Sequence, residues 1–255
     1  MKILPLLFDY EMVQDRFPDR PSFQRYVASH QSKGDILKLR KGLYGLVDPS
    51  TGKLMANPLE IACALSPSAF LSYHAGLAYY GLAEQSFVSC VEVASLSRFR
   101  PLLYQGCSYQ PVVVTSISGV EDHREEAGVR IANPERLIID CIDDLPRGGG
   151  FSEVAQALGQ MRDLSESRLL AYLSERGKAV LYLKVGYFFS RYYGGSISAS
   201  FLQECQRHRT AKKYYVGTKA GLGDYIKVWS LIVPTDSEET NNALFEELPS
   251  KSSPR

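Results

Sequence analysis

Between residues 21 and 47 two hydrophobic periods follow one another directly, and few folds accept that order. Over residues 21–32, projected at about 100° per residue, Phe23, Tyr26, Val27 and His30 gather on one side, while Gln24, Arg25, Ala28, Ser29 and Ser32 gather on the other. The period then changes to two. Ile36-Leu37-Lys38-Leu39-Arg40 alternates, Lys41-Gly42 can make a tight turn, and Leu43-Tyr44-Gly45-Leu46-Val47 returns. Upstream, Asp9 can cap a short helix reaching Phe17, with Phe8 in the staple position, and Pro18-Asp19-Arg20-Pro21 ends that helix and starts the next. Helix, helix and hairpin in that order make the arrangement of a winged helix-turn-helix, in which the second helix enters the major groove and the wing meets phosphate. A full winged helix has three helices before its wing, and residues 1–7 are too few to form the first.

Charge supports this placement. The whole chain has a formal net charge of only +1, so any nucleic-acid binding must come from local clustering. Arg20, Arg25, Lys33, Lys38, Arg40 and Lys41 face a single acid in that stretch, Asp35. Gln24, Arg25, Ser29 and Ser32 are positioned to read base edges, because Arg and Gln forks match guanine and adenine. Arg20, Lys33, Lys38, Arg40 and Lys41 are assigned to phosphates. A second basic cluster contains Arg207, His208, Arg209, Lys212, Lys213 and Lys219. It reads as a solvated helix end, an auxiliary phosphate contact, or a surface for a protein or RNA, in that order.

The 255 residues give room for a small head and a larger body. The turn-rich segment 48–53 is the expected boundary, so residues 1–50 form the winged-helix domain and 54–234 a mixed α+β domain. Residues 235–255 have few apolar side chains and read as a disordered tail. Within the body, helices are expected over 58–65, 72–80, 152–161, 166–176 and 179–193, with another capped by Asn133. Strands are expected over 87–94, 110–115, 129–131, 213–216 and 225–233.

Catalytic patterns are incomplete. The five cysteines are widely spaced and form no CxxC pair, so they read as buried thiols in a reducing cytosol. None of His30, His74, His123 and His208 has a helically spaced metal-binding partner. Gly148-Gly149-Gly150 precedes a helix but lacks phosphate-cradle spacing, and reads as a flexible interhelix loop. Asp140, Asp143 and Asp144 could in principle hold magnesium, although a helix end explains them as well. The expectation is a protein without catalytic residues, metal or cofactor. With no segment suited to a signal peptide or membrane span, it is expected in the cytoplasm and away from membranes.

Three further stretches carry a resemblance: the hairpin Leu39-Arg40-Lys41-Gly42-Leu43-Tyr44, the aromatic helix in residues 70–82, and Ile131-Ala132-Asn133-Pro134-Glu135-Arg136-Leu137-Ile138-Ile139-Asp140. In order and spacing they resemble the AbiEi family of type IV antitoxins, over about residues 8–230. The resemblance implies a bacterial autorepressor that binds inverted repeats in its own operator DNA. It also implies a body that counters a nucleotidyltransferase-like toxin, without requiring stable contact. A stand-alone winged-helix regulator and a metal-dependent nucleic-acid-processing enzyme are the alternatives.

Overall fold

The computed structural model describes residues 4–84, 90–123, 128–217 and 223–234, and the tail expected over 235–255 lies outside them. The fold is mixed α+β. By packing, the chain divides into two compact units: Met1–Leu71 with Phe87–Ile131, and Ser72–Ser86 with Ala132–Arg255. The turn at 48–53 lies inside the first unit.

The first unit starts with strand β1 (Leu7–Phe8), helix α1 (Tyr10–Val13), a 3-10 turn (Gln14–Arg16) and helix α2 (Arg20–Lys33). A hairpin of β2 (Ile36–Arg40) and β3 (Leu43–Leu46) follows. β1 joins the hairpin as a third antiparallel strand, with Leu7 opposite Gly45 and Phe8 opposite Tyr44. The segment just before Asp9 therefore contributes a strand to this sheet. Helix α3 (Pro58–Ala64) is set by a capping box: the Asn57 side chain accepts from Leu59 N and Glu60 N, and Glu60 accepts from Asn57 N.

A six-stranded sheet completes this unit in the order β6-β7-β5-β4-β9-β8, from β4 (Phe70–Leu71), β5 (Cys90–Ser95), β6 (Leu102–Tyr104), β7 (Cys107–Val113), β8 (Val120–Asp122) and β9 (Arg130–Ala132). The three expected strands correspond to β5, β7 and β9, and residues 87–89 of the first lie outside the described region. β4, β6 and β8 have only two or three residues each, too few to display a period.

The second unit is built around helix α5 (Pro134–Asp143), whose Leu137, Ile138, Ile139, Cys141 and Ile142 are buried. It is packed by α4 (Tyr73–Tyr79), α6 (Phe151–Gln160), α7 (Glu166–Arg176) and α8 (Ala179–Tyr192). Gly76 lets α4 approach closely, since a Cβ there would collide with Leu137 Cδ1. Helix α9 (Ala199–Arg207) was not marked by the sequence, where only its capping Ser198 and the buried pair Phe201 and Cys205 speak for it. The stretch 225–233, expected as one strand, is two. β11 (Gly223–Ile226) and β12 (Leu231–Pro234) are joined by a turn in which Ser230 takes φ 53°. β12 also pairs in parallel with β10 (Tyr214–Tyr215).

The glycine triplet is a packed turn and not a loose loop. A Cβ at Gly148 would meet Val154 and Cys141, and one at Gly149 would meet Glu153 and His74. The N–H groups of Gly148, Gly149 and Gly150 donate to the carbonyls of Asp144, Pro146 and Leu145. A phosphate would find those donors already used.

Candidate nucleic-acid interface

The head's exposed polar face follows from how its inner face is filled. Phe23 is the hub, with ring centroids of Tyr10, Phe17, Tyr44 and Phe8 at 5.4, 5.3, 5.8 and 6.3 Å. Leu4, Phe8, Val13, Phe17, Val27 and Ile36 complete the buried cluster, and Tyr26 and Tyr44 pack against it. His30 stacks on Tyr26 at 4.0 Å, and its Nδ1 lies 2.9 Å from the Tyr26 carbonyl oxygen. All four residues assigned to the inner side of α2 are therefore buried or half-buried.

The ends of α2 are fixed chemically. Asp19 accepts from Ser22 N at 2.7 Å, and the hydrogen bonds from Ser22 hold its carboxylate below the usual range. At the other end Gly34 adopts φ 83°, and its N–H turns back to Gln31 and His30. Gln24, Arg25, Ser29, Ser32 and Lys33 are all exposed on the remaining face. Ser22 Oγ accepts from Arg25 at 3.0 Å, so that guanidinium is already held along the helix surface. Ser32 Oγ donates to the Ser29 carbonyl at 2.8 Å.

The hairpin brings two lysines beside the start of this helix. Lys38 and Lys41 are exposed, and Gly42 closes the turn at φ 88°. A cleft of about 400 Å³ lies between the start of α2 and the hairpin, lined by Arg20, Gln24, Lys38, Arg40 and Lys41 together with Asp9, Glu11, Tyr10 and Tyr44. The Arg20 guanidinium sits 5.2 Å from the Tyr10 ring centroid.

Arg40 is placed differently from the other cations. The pairing shifts register between Lys38 and Arg40, so Leu39 is an extra residue that turns inward and is buried. The Arg40 guanidinium donates to the Leu65 carbonyl and lies 6.0 Å from the Phe99 ring centroid. Burial pulls its pKa down, against the attraction of Asp9. This side chain anchors the hairpin within its unit, a role that the alternating sequence pattern did not reveal.

Of the second cluster, Arg207 is engaged with Glu204 at 2.6 Å and His208 stacks on Tyr182 at 3.6 Å. Arg209, Lys212 and Lys213 are exposed, and Lys219 lies outside the described residues. The acidic trio of α5 is divided among cations. Asp140 pairs with Arg136 and Arg176, Asp143 with Lys178 at 2.7 Å, and Asp144 with Arg147. Among the described residues, no three His, Cys, Asp or Glu side chains are grouped so as to hold a metal ion. Nor is any helix among them long and apolar enough to cross a membrane.

No protein-family model and no curated protein sequence matches the chain. Among solved structures it is similar to the crystal structure of the RV2827C protein from Mycobacterium tuberculosis, at 13% identity and a TM-score of 0.63. The similarity covers 95% of this chain and 90% of that one. At that identity it establishes shared α+β architecture across nearly the whole length.

Proposed function

We propose that this protein is a cytoplasmic DNA-binding repressor whose head docks as a winged helix, and that it acts as the antitoxin of a type IV toxin-antitoxin pair. One observation carries the DNA reading. α2 spends its aromatic side on the Phe23 cluster and leaves Gln24, Arg25, Ser29 and Ser32 exposed, while Arg20 and Gln24 at its start line one cleft with the hairpin lysines Lys38 and Lys41. Donor-rich side chains on a helix flanked by cations suit base edges bordered by phosphate. The antitoxin role rests on the AbiEi resemblance alone, which gives the body a nucleotidyltransferase-like toxin to counter. It needs no catalytic group or cofactor of its own.

The test is a footprint of the purified protein on the DNA upstream of its own gene. A protected inverted repeat, with protection lost when Arg25 and the two hairpin lysines are replaced, is the expected result. Absence of any protected site at low salt would remove the repressor reading. Co-expression with the product of an adjacent nucleotidyltransferase-like reading frame tests the antitoxin role separately.

A further inference from the structure

The C-terminal sheet presents a surface for which the head has no use. Tyr215 pairs with Ile232 and Ile232 with Tyr225 across β10, β12 and β11. Directly paired residues share a face, so these three side chains form one row. Leu231 and Val233, on the opposite face of β12, are buried, whereas Tyr215 and Tyr225 are 38% and 43% exposed. The two tyrosines are two strand spacings apart, about 10 Å, a span that two or three unpaired nucleotides can bridge.

The charge around this row is positive. Lys213 Nζ lies 4.6 Å from the Tyr225 ring centroid, and Lys227 is exposed in the turn that follows β11. Arg209 and Lys212 are exposed just before β10. The acid nearest in sequence, Asp224, alternates with Tyr225 and so falls on the other face. Aromatic rings standing among exposed cations are what single-stranded nucleic acid requires, a π-face for each base and ammonium groups for the phosphates. A duplex keeps its base faces stacked inside, whereas RNA loops and ends present them.

We propose that the Tyr215–Ile232–Tyr225 face binds single-stranded nucleic acid, for which a short RNA is the probe, with each tyrosine stacking on one base and Lys213 and Lys227 holding the adjoining phosphates. Lys213 lies over the Tyr225 ring in the free protein and swings aside to a phosphate as a base takes that place.

The experiment measures fluorescence anisotropy of a short labelled oligouridylate titrated with the full chain. Tyr215→Ala and Tyr225→Ala should each weaken binding about 10-fold, within the range reported for removing one base-stacking ring. Tyr215→Phe and Tyr225→Phe should retain affinity, and the corresponding Leu variants should lose it. A head variant carrying Lys38→Ala and Lys41→Ala should bind the oligouridylate as the wild type does, whatever happens to its duplex binding. Three results would overturn the proposal: no binding at low salt, Leu variants as tight as wild type, or loss of RNA binding in the head variant.

Discussion

Ser72 Oγ donates to the Asp140 carboxylate at 2.8 Å, joining residues 68 positions apart in the sequence. The same carboxylate accepts from Arg136 Nε at 3.2 Å and from Arg176, and the Asp140 and Arg136 side chains are only 1% and 3% exposed. The residues of the 131–140 stretch that carried the family resemblance are thus an internal brace. Asn133 caps α5 and donates to Tyr172, and Glu135 accepts from Ser165 N.

Removing the shared acid takes one acceptor away from both Arg136 and Arg176. Asp140→Ala should cost about 3–5 kcal/mol, the usual penalty for removing one member of a buried ion pair. Urea denaturation of the full chain checks this. A loss within error of zero would show that the network is dispensable.

The aromatic hub of the head gives a second expectation. Phe23→Ala removes a ring that is 3% exposed and should destabilise by about 3–5 kcal/mol. Because it also releases the packing that orients α2, duplex DNA binding should fall with it. If affinity survives a large stability loss, the helix face is not the DNA-reading surface.

The head holds two kinds of arginine, one on α2 and one on the hairpin. Arg25→Ala should cost about 1–3 kcal/mol on a specific site with little change in stability. Lys38→Ala with Lys41→Ala should weaken binding to every duplex and flatten its salt dependence. Arg40→Ala should instead lower the melting temperature, since its guanidinium is tied to the Leu65 carbonyl. A gel-shift salt series with a thermal melt of each variant separates the three.

Thiol reactivity offers a check that needs no mutation. Burial pushes Cys63 up to about 11 and Cys205 up to about 12, and Cys141 is raised well above its ordinary value. Of the five cysteines, Cys90 is exposed and Cys107 half-exposed. A disulfide reagent at mildly alkaline pH should therefore titrate Cys90 and Cys107 rapidly, and the other three only after denaturation. A raised thiol pKa in the folded state contributes stability that is complete below the ordinary thiol value. That contribution is lost as pH rises through about 11 to 12 for Cys63 and Cys205, so the native state should weaken over that alkaline range. Fast labelling of all five would contradict the packing.

At Gly186 space is the constraint. A Cβ there would collide with the Trp229 ring and with Cys205. Gly186→Ala should cost about 1–3 kcal/mol through overpacking, accompanied by a shift in tryptophan emission. An unchanged spectrum and stability would mean that the ring can be moved cheaply.

Long periodic elements were legible in advance. α2, α7 and α8 fall within a residue or two of their expected spans, because each runs for at least 11 residues, α2 and α7 with one apolar stripe and α8 apolar around most of its girth. The polar face of α2 was readable for the same reason. The purpose of Arg40 was not. It depends on a register shift and on Leu65, which lies 25 residues away, and neither leaves a trace in local alternation. The tyrosine row was equally hidden: Tyr215 and Tyr225 become neighbours on one face only through β12, which the sequence merged with β11.

The interleaving of the two compact units has a consequence for synthesis on the ribosome. The first unit is made from two stretches of chain, Met1–Leu71 and Phe87–Ile131, with part of the second unit between them. β4 waits for β9, since Leu71 pairs with Ile131. β4 can join β5 earlier, but its other edge stays open until about half of these residues have been translated. A terminal deletion that keeps one unit whole carries a piece of the other with it: a chain ending at Ile131 retains Ser72–Ser86, and one beginning at Ser72 retains Phe87–Ile131. Genetic dissection of this protein calls for circular permutants or internal grafts.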